Sequence, residues 1–345
     1  MNLKEIEYIV KIDEERNVTR AAEKLFITPS ALNQQLLRLE RDIGTPLFYR
    51  SRTGWTPTEA GMVYLDTARE MLRLKRETYH RLQDIAAAKK GTLSIGFPPE
   101  RGASMFTNVY PDFHREYPDI IINVSEVSVR RQQQMIACGD LDIGFMTLRE
   151  NQQTEDEYIK ITSEELILAI PAVHPLCSRA VAAGRGPYPE LDIRELRYEP
   201  FALMYRESTI RECADGIFRQ AGFIPNVLFE TSRARTIIDI VAAQMCCGLV
   251  PYTDSLHAAE AMRPHGAVHR KDATLPEGAA HRKDAMFPKG AAFFCLPGHP
   301  TWNLAASYRK GSYLSHPARR LIDLASDYWR TELTDGSAGS NTASP

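Results

Sequence analysis

What the sequence does not contain narrows its class first. Its six cysteines, Cys138, Cys177, Cys213, Cys246, Cys247 and Cys295, show no C-x-x-C spacing and sit in apolar surroundings, the pattern of buried structural thiols. No apolar run is long enough to span a bilayer. The opening residues Met1 to Tyr8 lack the basic-then-apolar order of a signal peptide. A soluble, cytoplasmic protein with no membrane partner is expected. The G-x-S-x-G, H-E-x-x-H, G-x-G-x-x-G and Walker patterns are all missing, so neither an enzyme nor a cofactor is expected. The net charge of −2 excludes coating of nucleic acid by bulk attraction.

What is present is 345 residues, 43% of them apolar, enough for two or three domains with real cores. The most informative stretch is Thr19 to Glu40 (TRAAEKLFITPSALNQQLLRLE), which reads as a short helix, a turn and a second helix. Thr28 is a suitable N-cap and Pro29 falls at the first helical position, where a missing N–H costs nothing. Leu32, Leu36 and Leu39 repeat at helical spacing and mark the buried face. The opposite face carries Ser30, Asn33, Gln34, Leu37 and Arg38. Asn and Gln can pair bidentately with adenine, and Arg can reach guanine or phosphate. A surface hairpin with polar residues outside would share this pattern. Charge favours the DNA reading: Arg16, Arg20, Lys24, Arg38, Arg41, Arg50 and Arg52 face only Glu23, Glu40 and Asp42 between residues 16 and 58.

Gly44 and Pro46 then break the seam, and Leu47 to Gly61 (LFYRSRTGWTPTEAG) contains two short extended pieces around Gly54. These form the expected wing, with Arg50 and Arg52 placed for phosphates. The run from Ala21-Ala22 through Ser30-Ala31-Leu32, Leu39-Glu40, Gly44, Pro46 to Arg50 and Thr58 to Gly61 resembles the LysR-type transcriptional regulators. That family usually has Pro at the position of Ser30, and commonly Ser-Arg where this chain has Asn33-Gln34, so the bases read must differ. The resemblance implies a winged helix-turn-helix over residues 1–58 whose DNA contacts include Thr19, Arg20, Thr28, Pro29, Ser30, Asn33, Gln34, Gln35, Arg38, Arg50 and Arg52. Some relatives sense peroxide through a cysteine pair. By alignment that pair falls near Thr209 and Phe218, with only Cys213 between them, so redox sensing stays a minor alternative.

Residues 58–89 read as one long helix, with Leu65, Ala68, Leu72, Tyr79, Leu82 and Ala86 near heptad spacing and Arg69, Arg73, Lys75, Arg76 and Arg81 on a solvated face. It is either a solvent-bridging spacer or, as in the family, a linker (59–90) that makes a homodimer or homotetramer. From residue 91 strands alternate with helices, predicting a parallel α/β sheet. The resemblance makes this a two-lobed, periplasmic-binding-protein-like effector domain (91–330). Lobe I takes residues 91–162 and 302–330; lobe II takes 163–301. A twelve-residue repeat containing His-Arg-Lys-Asp occupies 261–292 and reads as a surface insertion, with metal binding as the alternative. Residues 331–345 read as a disordered tail.

In open α/β sheets ligands bind beyond the strand ends, near helix N-termini. The corners in question carry Pro99, Glu100, Arg101, Gly102, Ser128, Thr147, Arg206, Ser208 and Ser232, with Thr209 and Glu212 spaced as a capping box. Arg101 and Arg206 would favour a small carboxylate. The expected function is operator-specific DNA binding that responds to a small molecule, with RNA polymerase as a candidate further partner. A constitutive regulator without effector is the alternative. A solute-binding protein or an enzyme on the same lobes would not need residues 1–89.

Overall fold

A computed structural model describes residues 2–51, 54–86, 90–178, 188–261 and 290–335. Arg52, most of the twelve-residue repeat and residues 336–345 lie outside the described residues.

The N-terminal domain is built from α1 (Leu3–Glu15), α2 (Val18–Lys24) and α3 (Pro29–Ile43), followed by the hairpin β1 (Phe48–Arg50) and β2 (Trp55–Pro57). Local chemistry sets each boundary. Asn17 caps α2 by accepting from the N–H groups of Thr19 and Arg20, and Thr28 caps α3 by accepting from Ala31 N–H at 3.2 Å. Gly44, at φ +83°, ends α3 in the left-handed conformation, and its N–H reaches Glu40 O at 2.8 Å. Ile6, Ile9, Ile12, Leu32, Leu36 and Phe48 form the core.

The end of the family-like run has a steric reason. Thr58 caps α4 (Glu59–Ile85) by accepting from Gly61 N–H at 2.9 Å, and its hydroxyl donates to Pro46 O at 2.8 Å. This lays the first turn of α4 against the strand leading into the wing. A Cβ on Gly61 would sit 2.0 Å from Leu47 O, so only glycine fits. The helix is shorter than the expected span to residue 89, and Lys90 already belongs to a strand. Its basic face is also less solvated than expected: Arg69 pairs with Asp13, Lys75 with Glu7 at 2.8 Å, and Arg73 with Glu70 and Glu77.

The C-terminal half contains β3 (Lys90–Phe97), α5 (Arg101–Glu116), β4 (Asp119–Glu126), α6 (Val129–Cys138) and β5 (Ile143–Leu148) in lobe I. Lobe II holds β7 (Pro200–Met204), α7 (Thr209–Ala221), β8 (Asn226–Thr231), α8 (Ala234–Ala242), β9 (Cys247–Pro251), α9 (Tyr252–Ala261) and β10 (Ala291–Cys295). The strands β6 (Glu157–Pro171) and β11 (Thr301–Tyr308) connect the lobes, and α10 (His316–Asp335) returns to lobe I. The strand order is β4-β3-β5-β11-β6-β9-β7-β8, with β10 also on β6. The sheet is mixed rather than parallel: β4-β3-β5 and β8-β7-β9 run parallel, whereas β11, β6 and β10 pair antiparallel.

The separate strand expected from Glu165 is instead the second half of β6, a single strand crossing from one lobe to the other. Residues 157–165 pair with β11 and residues 166–171 with β9 and β10. No glycine or proline interrupts it, and its burial changes from alternating to continuous as it enters lobe II. Residues 331–335, assigned to a disordered tail, finish α10, where Leu333 packs on the lobe I core and Tyr328 Oη hydrogen-bonds Glu332. Among the described residues no helix is long and apolar enough to cross a membrane.

Replacing Gly61 by Ala should cost about 1–3 kcal/mol of stability by overpacking against Leu47 O. A urea titration followed by tryptophan fluorescence, with Trp302 and Trp329 replaced by Phe so that Trp55 alone reports, reads it; an unchanged midpoint would show that the close approach is not required.

Candidate functional site

Two surfaces gather the predicted residues. On the first, α3 leaves Thr28, Pro29, Ser30, Gln34, Gln35 and Arg38 exposed, with Asn33 half-buried and Leu37 at the edge. Thr19 and Arg20 are exposed on α2, and Arg20 Nη2 donates to Glu15 O at 2.6 Å. Arg50 does not extend freely. It pairs with Glu40 of α3 and lies 5.2 Å from the Trp55 ring centre. Glu40 is almost buried and also accepts from Leu47 N–H at 2.9 Å, so one carboxylate ties the reading helix to both ends of the wing's first strand. Glu40 and Asn17 were missed as positioning residues. Their partners lie in other elements or in the backbone, which a charge tally does not register.

The second surface is a cavity of about 240 Å³ between the lobes. Pro99, Glu100, Arg101, Ser128, Thr147, Ser208 and Ser232 all line it. Gly102 does not. It allows α5 to pack on β3, since a Cβ there would lie 2.4 Å from Phe97 Cβ. Arg206 is also not among the lining residues: it is exposed and 3.3 Å from Glu230. The expected Thr209–Glu212 capping box does not form. Ser208 holds the N-cap position without a side-chain cap bond, and Glu212 is taken by Gln152. Ser232 does not cap α8 either. The first amide of that helix, Ala234 N–H, donates to Glu100 Oε2 at 3.0 Å, across the cleft. Glu100 holds φ +67° to do so, a strained backbone for a side-chain-bearing residue.

Arg101, which lines the cavity, carries its main ion pairs. Its guanidinium lies 2.8 Å from Glu164, a fully buried residue of β6, and 3.7 Å from Asp254 of α9. Glu164 also accepts from Thr253 N–H at 2.9 Å and from the Thr253 hydroxyl at 2.7 Å. One side chain of lobe I is thereby bound to the crossing strand and to lobe II. Asp254, His257 and Glu332 line the cavity and escaped the sequence reading. They sit on α9, which was not foreseen, and on the stretch taken as a tail. Burial pushes the Asp254 carboxyl up to about 7; Arg101 pulls it down, while Glu164, Glu100 and Glu332 push it up.

Among the described residues, Glu165, Cys295 and His299 bring donor atoms within 4.8 Å of one another. His299 Nδ1 contacts Glu165 at 2.8 Å, and burial pushes the neighbouring Cys295 thiol up to about 12. The other five thiols are likewise raised by burial, the opposite of a peroxide-reactive cysteine.

Residues 3–62 match the bacterial regulatory helix-turn-helix protein, lysR family, and residues 86–330 match the LysR substrate binding domain. The regulator TtuA of Agrobacterium vitis is 30% identical over 261 residues, covering 73% of this chain and 80% of that protein. The structure of a full-length OxyR variant from Pseudomonas aeruginosa covers 96% of this chain and 95% of its own at a TM-score of 0.63 and 20% identity. Full-length CbnR complexed with its target DNA covers 96% of this chain and all of its own at a TM-score of 0.54 and 19% identity. At those identities the two structures speak for the fold alone. The chain belongs to the LysR family. It is a DNA-binding transcriptional regulator with an effector-binding domain.

Asp254 has a raised folded-state pKa, so between about pH 4 and pH 7 the folded chain keeps a proton that the unfolded chain has released. Stability should therefore fall as pH rises across that window. In Asp254→Asn this component should vanish, measured as the difference in melting temperature between the two proteins from about pH 4.5 to 7.5. Parallel profiles would contradict it.

Proposed function

We propose that a small molecule bound in the interlobe cavity sets the operator affinity of the reading domain. Residues 1–58 recognise DNA, the 59–90 linker joins two copies, and residues 91–330 receive the effector. Ser30, Gln34 and Gln35 meet base edges, Arg38, Thr28 and Arg20 meet phosphates, and Arg50 holds the wing in place through Glu40. The DNA-bound form of CbnR supports this use of the same domain arrangement. Dimerisation is supported by Tyr79, Leu82 and Ile85, apolar residues of α4 that remain more than half exposed. A dimer matches two half-sites of a pseudo-palindrome. A chromosomal operator as the target supports a cytoplasmic location.

The observation that carries the coupling is the position of α10. Near one end Glu332 faces the cavity. At the other, His316 N–H donates to Asp84 of the linker helix at 2.9 Å, and Tyr313 Oη reaches the same carboxylate at 2.7 Å. Glu70 of α4 adds an ion pair with Arg309 at 2.7 Å. A change in lobe closure that moves α10 therefore pulls directly on the helix that spaces the reading domains. The effector acts only through its different affinity for the two arrangements.

Fluorescence anisotropy with DNA from upstream of the protein's own gene, over a salt series, tests the reading surface. Gln34→Ala should lose about 1–3 kcal/mol of discrimination at one base step while binding random DNA as before. Arg38→Ala should weaken binding to all sequences and flatten the logarithmic salt slope by about 1. Equal losses on specific and random DNA for Gln34→Ala would remove it from base reading.

A further inference from the structure

We infer that Glu165, Cys295 and His299 are the ligands of one divalent transition metal ion, zinc by preference, beside the strands that join the lobes. Neither the interlobe cavity nor its effector enters this inference. The strand pattern brings the first two ligands together. Cys295, the last residue of β10, stands opposite Ile167 of β6, and alternation puts Glu165 on the same face as Ile167. Cys295 and Glu165 are therefore diagonal neighbours across an antiparallel pair, within reach of a long side chain. His299 comes from the short loop between β10 and β11. Gly298 at φ +81° and His299 at φ +46° turn that loop, and Pro300 O accepts from Leu166 N–H at 2.9 Å, which holds the histidine beside Glu165. A sulfur, an imidazole nitrogen and a carboxylate oxygen thereby lie within 4.8 Å of one another.

An ordinary ion pair needs neither the thiol nor a second carboxylate, and both are here. Thiolate, imidazole and carboxylate are the three ligand types zinc takes, whereas magnesium and calcium take oxygen alone. Two nitrogen or oxygen ligands on a tetrahedral zinc stand about 3.3 Å apart, so His299 Nδ1 and Glu165 Oε1, now 2.8 Å apart, need to part by only about half an ångström. The other ring nitrogen, Nε2, faces Glu190 Oε1 at 3.3 Å. That carboxylate orients the imidazole and leaves Nδ1 for the metal, as outer carboxylates do for ligating histidines. Glu190 is itself fixed beside the thiol, because Cys295 N–H donates to Pro189 O and Leu191 N–H to Cys295 O. Cys295 is fully buried, but its two fellow ligands reach solvent, with side chains 35% and 17% exposed for His299 and Glu165. The ion enters by parting their pair, and the thiol proton and any proton on Nδ1 leave to solvent. Once bound it clamps β6 to the loop that leads into β11, with water in the fourth position.

The test uses the full-length protein, reduced and stripped with a chelator, and the metals alone. Cobalt(II) serves as the visible probe, since a cobalt–thiolate bond absorbs in the near ultraviolet and a tetrahedral cobalt site in the visible. One equivalent per chain should give both bands, zinc should displace them, and zinc should raise the melting temperature. His299→Ala and Glu165→Gln should each weaken zinc about tenfold or more, and Cys295→Ala should abolish the thiolate band. Cys177→Ala should change neither, and circular dichroism checks that each variant is folded. The histidines of the twelve-residue repeat are rival ligands, but the repeat contains no cysteine, so the thiolate band separates the two sites. Zinc bound without that band in the cobalt form, or with an affinity unchanged in His299→Ala, would overturn the inference. So would a band that survives in Cys295→Ala, or no binding of either metal at micromolar concentration.

Discussion

The effector half of this protein depends on the guanidinium of Arg101. It leaves the first turn of α5 in lobe I and meets Glu164 on the strand that crosses between lobes, then Asp254 in lobe II. Glu164 has almost no exposure to solvent, so removing Arg101 from beside it would leave a buried acid without its counter-charge. Two lobes that, among the described residues, are joined by the backbone of β6 and β11 are thereby also linked through side chains. The Glu100 carboxylate on the N-terminus of α8 adds a second tie across the same cleft. Both ties are electrostatic and both border the cavity, so a ligand bound there as proposed would act on contacts that join the lobes.

The N-terminal half has a corresponding constraint in Glu40. A single nearly buried carboxylate accepts from Leu47 N–H and pairs with Arg50, aligning the wing with the reading helix. Thr58 and Gly61 then seat the linker helix against the same strand. The recognisable run of residues in this domain is therefore largely a set of backbone contacts and close approaches. Ser30 and Gln34, which are proposed to meet base edges, are exposed on α3, so they can depart from the family pattern without cost to the fold.

Much of the architecture was legible in the sequence because its signals are local. Thr28 before Pro29, Gly44 after Ile43 and the leucine spacing of α3 each act within a turn or two of helix, and the observed caps follow them. The corners of the cavity were legible for a similar reason: Pro99, Ser128, Thr147 and Ser208 lie where strands end and helices begin. What could not be read were pairings between distant segments. Arg101 and Arg206 looked equivalent as cations, yet one meets a buried acid on the crossing strand and the other a surface acid. Glu332 lay beyond the expected end of the last helix, because a polar run of residues does not reveal that Leu333 has a core to pack on. The capping spacing of Thr209 and Glu212 misled because Gln152, from the other lobe, competes for the same carboxylate.

If α10 and Asp84 link the two halves as described, the charge state of the cavity is felt at the reading domain. Operator affinity measured from about pH 6 to 8, in wild type and in Asp254→Asn, tests this without knowledge of the natural effector. A step in wild-type affinity is predicted near pH 7, where Asp254 gains its charge, and the variant should lack it. Superimposable profiles would contradict the coupling and would mean that the cavity does not reach the DNA-binding surface through this residue.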